Sequence, residues 1–259
     1  MPELPDVEGF RRRLASTLPG REVRSVKAHD PGILRNVSAQ VLGRRLAGHR
    51  FGTPRRRGKW LMLPTDGPML LVHSGMTGHP YYAETGADRE KYERLVVSLD
   101  RGELRYADLR KLRGVWLAGD EDEVADVTGP LGPDALGLGL PAFRDVLSGR
   151  RRRLKPTLMD QSAIAGLGNL ICDEMCWRAQ VNPLRSISDL GSEDVGRLHN
   201  AMTGVLRTAV RHGRVPGLPR WLTGARDGPD PSCPRCGTRL AHARAGGRTT
   251  VWCPRCQPK

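Results

Sequence analysis

Met1-Pro2-Glu3-Leu4-Pro5-Asp6-Val7-Glu8, at the head of the chain, admits two readings. One is a turn that leads into a helix. The other is chemical. Removal of Met1 exposes Pro2 as a secondary amine, with the carboxyl group of Glu3 beside it. An α-amino group has a reference pKa near ~8, so much of it is neutral and nucleophilic at physiological pH. Attack of such an amine on a sugar carbon gives an iminium, the covalent logic of a lysine Schiff base. A neighbouring carboxylic acid can protonate the sugar oxygen that must leave, provided its pKa is held up.

The composition around this stretch narrows the class. A chain of 259 residues fits two modest domains or one large one. Hydrophobic residues at 38% supply a core, and no segment approaches the ~20 apolar residues of a membrane span. Arg11, Arg12 and Arg13 interrupt any secretory core, which points to the cytoplasm. A net charge of +14 and a pI near 10.3 call for a polyanionic partner, nucleic acid before an acidic membrane surface.

Six cysteines are present, and four fall in the last 27 residues. Cys233-Pro-Arg-Cys236 and Cys253-Pro-Arg-Cys256 are two Cys-x-x-Cys knuckles separated by 16 residues. That spacing suits a ribbon whose four thiolates hold one structural, tetrahedral Zn²⁺. Paired disulfides are the alternative and conflict with a cytoplasmic, basic protein. Cys172 and Cys176, one helical turn apart in an apolar stretch, read as buried thiols.

Val7, Phe10, Leu14 and Leu18 recur at helical spacing, with Asp6 as the expected N-cap. From about residue 22 to 118 the pattern changes to short strands. Leu61–Leu63 and Met69–Val72 are two, and Leu95–Leu99 with Glu103–Tyr106 reads as a hairpin across Asp100-Arg101-Gly102. Such runs imply an antiparallel sandwich or barrel. Acidic Asp120–Asp126 and the Gly/Pro-rich stretch to Gly139 form a composition break. Helices follow: Leu158–Ala165, a turn at Gly166-Leu167-Gly168, then Asn169–Ala179. A longer helix from Ser192 carries the stripe Val195, Leu198, Met202, Val205, Leu206 and Val210. The expected division is 1–128 for the sandwich, 129–140 for a linker, 141–225 for the helical domain and 226–259 for the ribbon.

Five segments in this order form one pattern: Pro2-Glu3-Leu4-Pro5; Arg57-Gly58-Lys59; His73-Ser74-Gly75-Met76-Thr77-Gly78; Leu158-Met159-Asp160 leading to Gly166-Leu167-Gly168-Asn169; and the four-cysteine ribbon. Together they resemble the formamidopyrimidine-DNA glycosylase / endonuclease VIII family, across almost the whole chain. The resemblance implies an α+β fold: an N-terminal antiparallel β-sandwich with an N-terminal helix, a helix-two-turn-helix domain and a β-hairpin zinc finger. It implies binding of damaged double-stranded DNA between the domains by a monomer, in the cytoplasm at the nucleoid. It also implies base excision followed by strand cleavage through β,δ-elimination. Under it, Pro2 is the nucleophile at C1′ and Glu3 the acid/base for ring opening. Lys59 lies near the target nucleotide's phosphate, and Arg248, five residues before Cys253, grips flanking phosphates. Met76 fills the hole left by the everted base, since an inserted apolar wedge offsets the cost of unstacking. Arg110 contacts the orphaned base, with Leu112 in place of an aromatic wedge. Asn169 binds phosphate through its amide and the helix dipole. His73 and Lys155 are further DNA contacts. Asp6 stands where many members have glutamate, a carboxylate with shorter reach.

Residues 212–232 are short for the 8-oxoguanine-directed branch, whose loop closes over the everted purine, and Pro216 and Pro219 stiffen them. The expected preference is therefore for oxidised pyrimidines, ring-opened purines and abasic sites. The rival is a non-catalytic binder of distorted DNA on the same scaffold, which would need none of Pro2, Glu3 and Lys59. An RNA- or ribosome-associated ribbon protein would explain the charge but not the amino terminus.

Overall fold

Pro5 and Asp6 sit inside a helix rather than ahead of it. The structure, a computed structural model describing residues 2–259, begins helix α1 at Leu4 and ends it at Ala15. Met1 lies outside the described residues. The expected N-cap at Asp6 is thus corrected: Asp6 is the third residue inside the helix. A proline in the first turn lacks only an N–H that has no intrahelical partner, and Asp6 there complements the positive helix end.

The chain divides into two compact units, one comprising Pro2 and Asp6–Pro130, the other Glu3–Pro5 and Leu131–Lys259. The first unit contains β1 (Val23–Ala28), α2 (Ala39–Leu46), β2 (Arg55–Arg57), β3 (Trp60–Leu63), β4 (Met69–His73), β5 (His79–Ala83), β6 (Glu93–Leu99), β7 (Glu103–Ala107), β8 (Gly114–Ala118) and α3 (Glu121–Thr128). Its strands form two antiparallel four-stranded sheets, ordered β1-β6-β7-β5 and β2-β3-β4-β8. Alternate side chains of both meet in one core, Leu61, Leu63, Leu70 and Val72 from one sheet with Leu95, Val97, Leu104 and Tyr106 from the other. This is the expected sandwich, and the 95–106 hairpin forms with Val97 opposite Leu104.

Two local readings change. Residues 39–46, taken as part of the β region, form α2, capped where the Ser38 hydroxyl accepts the Val41 N–H at 3.3 Å. The acidic stretch is not connecting chain: Asp120 accepts the Glu123 N–H at 2.9 Å and starts α3. Glu8 anchors α1 to β2. Burial pushes its carboxyl up, but Arg11, Arg56 and Arg12 outweigh that and hold it at about 2.

The second unit contains α4 (Leu140–Leu147), α5 (Leu154–Met159), α6 (Asn169–Ala179), α7 (Ser192–His212), α8 (Leu222–Ala225), β9 (Ala241–Ala245) and β10 (Arg248–Trp252). The first helix of the turn motif ends earlier than expected, because Asp160 accepts both the N–H and the hydroxyl of Ser162, closing a turn at 160–162. α6 and the α7 stripe match the sequence reading, and every residue of that stripe is buried. The Gly/Pro-rich stretch is packed down, with the Ala135 N–H donating to the Ala165 carbonyl at 2.9 Å. Among the described residues no helix is long and apolar enough to cross a membrane.

Candidate active site and nucleic-acid interface

Glu3 is fully buried, and a helix end receives it. Its Oε1 accepts the Leu170 N–H at 2.8 Å and its Oε2 the Ile171 N–H at 3.2 Å. These amides belong to the first turn of α6, where N–H groups lack intrahelical partners and negative charge is favoured. The Gly166-Leu167-Gly168 turn leaves room for this contact. A Cβ at Gly168 would overlap the Glu3 carboxyl carbon, and one at Gly166, whose φ is +111°, would strike Leu4. The helix terminus expected to receive a phosphate beside Asn169 therefore holds Glu3. Asn169 opens α6 half-buried, and among the described residues its Oδ1 has no hydrogen-bond partner.

Lys155 is corrected as a DNA contact. Its ammonium is fully buried, 2.6 Å from Asp173 Oδ1, and donates to the Thr249 carbonyl at 3.1 Å. A phosphate cannot reach it without displacing that pair. Arg248, by contrast, is exposed at the first position of β10, after the two-residue turn Gly246-Gly247.

In the first unit, Lys59 and Gly58 form the two-residue turn between β2 and β3, with Gly58 at φ +55°. His73 is opposite Trp60 in the register and packs edge-on against it, ring centroids 5.0 Å apart. Burial first, then the charges of Arg113 and Lys59, push the His73 imidazole down to about 4. It is neutral at pH 7. Its Nδ1 accepts the Gly75 N–H at 3.1 Å, which leaves the proton on Nε2 as a donor.

Met76 and Arg110, read from separate segments, come together: an Arg110 Nη1 lies 2.9 Å from the Met76 sulfur. Asp108 builds that junction. It accepts the Thr77 hydroxyl at 2.6 Å, the Arg110 N–H at 3.0 Å and the Tyr106 hydroxyl at 3.1 Å. Leu109 and Leu112 flank Arg110, each 51% exposed, so apolar surface is presented around a cation. Sequence reasoning assigned Asp108 no role. Its only signal was adjacency to Arg110. Asp6 is half-buried in the first turn of α1.

The four ribbon cysteines place their sulfurs within 4.8 Å of one another. Individual separations are 3.5 Å for Cys236–Cys253, 3.5 Å for Cys236–Cys256 and 4.0 Å for Cys233–Cys256. A tetrahedron with Zn–S near ~2.3 Å needs sulfurs about 3.8 Å apart, so one Zn²⁺ fits. Trp177 Nε1 and the Cys256 N–H donate to the sulfurs of Cys233 and Cys253, as outer partners of thiolate ligands do. The site is structural, closed by four protein ligands. Cys172 and Cys176 are fully buried on α6, where burial pushes both thiols up, away from the thiolate form.

Comparison with known proteins agrees with this geometry. Residues 1–115 match the formamidopyrimidine-DNA glycosylase N-terminal domain, 131–216 its H2TH domain, and 232–259 the zinc finger found in FPG and IleRS. The formamidopyrimidine-DNA glycosylase of Herpetosiphon aurantiacus is 34% identical over 273 residues, covering 99% of this chain and all of the relative. That of Moorella thermoacetica is 36% identical, covering 99% and 92%. The Lactococcus lactis enzyme, solved with DNA containing an oxidised pyrimidine, superimposes with a TM-score of 0.89 at 29% identity, each chain fully covered. With all three parts matched in order, the chain belongs to the formamidopyrimidine-DNA glycosylase family.

Proposed function

We propose that this chain is a bifunctional DNA glycosylase and AP lyase of base excision repair, acting on oxidised bases in double-stranded DNA through the amine of Pro2. The glycosylase half follows from family membership. The observation that carries the chemistry is the Glu3 carboxylate, buried next in chain to Pro2 and fixed through both oxygens by α6. N–H donors and a helix N-terminus stabilise negative charge, which suits a group that accepts a proton before giving one. Pro2 nitrogen attacks C1′, and the glycosidic electron pair leaves with the base. Glu3 takes the proton shed by the nitrogen and returns it to O4′ as the C1′–O4′ bond breaks, leaving an iminium. β- then δ-elimination releases the flanking phosphates. Lys59 and the Nε2–H of His73 serve the phosphate of the target nucleotide. Met76, Arg110 and Leu112 occupy the gap in the duplex, and Arg248 and Asn169 grip the backbone. The protein works as a monomer at the nucleoid, with residues 1–128 as the catalytic domain.

The segment between α7 and the ribbon bears on substrate. It is pinned by buried Trp221, Leu222 and Arg226, and the Thr223 N–H donates to Glu174 at 3.1 Å. A tethered segment offers few free backbone donors to a flipped purine, and hydrogen bonding is what selects sharply among bases. Oxidised pyrimidines, ring-opened purines and abasic sites are the expected substrates, ahead of 8-oxoguanine opposite cytosine.

One panel tests both statements: borohydride trapping and single-turnover excision on duplexes carrying one lesion each. A covalent adduct should map to Pro2, and Pro2→Gly or a retained Met1 should abolish most of it. An adduct on Lys59 overturns the nucleophile. Fastest cleavage of 8-oxoguanine:C, by about ten-fold or ~1.4 kcal/mol, overturns the substrate order.

A further inference from the structure

β10 pairs with β9 along one edge, so its Thr249 C=O and Val251 N–H, two residues apart, face away from that partner. Both are taken by buried charges. Lys155 Nζ donates to the Thr249 carbonyl at 3.1 Å, and the Val251 N–H donates to Asp173 Oδ2 at 3.2 Å. Lys155 and Asp173 are themselves paired at 2.6 Å, each with a fully buried side chain. Arg226, from the segment ahead of the ribbon and only 4% exposed, donates to Asp173 at 2.5 Å. One carboxylate on α6 thus ties together α5, the segment before the ribbon and the strand that begins with Arg248.

Burying two cations against one carboxylate is a poor route to stability, because an apolar contact of similar volume does as well. What ions and directed hydrogen bonds supply is register. Asp173 lies one helical turn beyond Leu170, whose amide holds Glu3, so the hairpin is indexed to the same helix that fixes the carboxylate.

We propose that Asp173 is a positioning residue for the phosphate-binding hairpin: with Lys155 it clamps the free edge of β10 and so sets where Arg248 meets the DNA backbone. The proposal rests on the role given above to Arg248. It makes Asp173 and Arg248 one functional unit although their side chains do different work.

A double-mutant cycle tests it, with affinity for a duplex bearing an abasic-site analogue measured by fluorescence anisotropy across a salt series. Arg248→Ala should weaken binding about ten-fold and lower the salt slope by about one. Asp173→Asn should do the same with one zinc still bound, and the double variant should be no weaker than either single one. Losses that multiply, or wild-type binding by Asp173→Asn, overturn the proposal. Should Asp173→Asn fail to fold, Lys155→Met removes the other half of the clamp and should be equally non-additive with Arg248→Ala. Hydrogen exchange separates the clamp from the role of Arg248. If Arg248→Ala binds normally, the Arg248 role is wrong, and the clamp then stands or falls on whether Asp173→Asn speeds exchange across 248–252 alone.

Discussion

Two hairpins in this protein present a cation beside a two-residue turn, and they are held by opposite means. The β2–β3 hairpin carries Lys59 in its turn, and all four residues of β3 are buried in a sheet that continues through β4 and β8. Apolar packing fixes it. The β9–β10 hairpin carries Arg248 after its turn and has no such sheet. Its buried cluster is six residues, and two of them, Trp177 and Leu222, come from helices outside the ribbon. So small a core does not fold unaided, and metal ligation with directed polar contacts replaces it. A cation can therefore be placed by bulk hydrophobicity or by a few strong, specific bonds, and the second kind is open to single-site disruption.

Zinc removal should give the largest contrast. Structural Zn²⁺ contributes roughly 10 kcal/mol to small metal-bound modules. Chelation, or Cys253→Ser, should unfold 232–259, speed exchange throughout the ribbon and weaken DNA binding at least ~100-fold, about 2.7 kcal/mol. The β-sandwich should melt unchanged. A sandwich that melts with the zinc would erase the distinction between the hairpins.

A smaller effect should mark the sandwich alone. His73 is held down at about 4 against an ordinary 6.5, so the unfolded chain binds its proton first as pH falls. Its contribution is complete above pH 6.5 and is lost between 6.5 and 4, roughly 2 kcal/mol after allowing for the solvent-reached part of the ring. Denaturation midpoints of wild type and His73→Gln should therefore converge across that window. Parallel curves would mean the imidazole titrates normally.

The smallest effects compare the turns directly. Gly58 and Gly247 both have positive φ, +55° and +72°. Alanine at either costs about 1 kcal/mol of backbone strain. Gly58→Ala should lower the melting temperature of the sandwich by a few degrees. Gly247→Ala should leave it unmoved and appear instead as faster zinc loss. The reverse pattern would show that the ribbon hairpin is not metal-dependent.

The sequence by itself determined whatever near neighbours decide. Short apolar runs at 61–63 and 69–72, and the pair of runs across a turn at 95–106, specified strands, because brief apolar segments bounded by turn residues suit buried strands. The α7 stripe specified a helix face, and cysteine spacing specified a zinc knuckle, since both depend on residues within a few positions. Local rules also misjudged local matters where a second signal competed. Composition made 120–126 look like a break in the fold although Asp120 caps a helix, and Asp6 looked like an N-cap although the helix already begins at Leu4. Only the tertiary structure decided which charges meet. Glu3 finds amides 167 and 168 residues away, and Lys155, basic like its neighbours Arg151 to Arg153, is withdrawn from solvent by Asp173. A charge on the chain is a fixed property of its residue. Whether it faces DNA or another buried charge depends on which distant backbone groups the fold brings within about 3 Å of it, and that distance is nowhere encoded in local sequence.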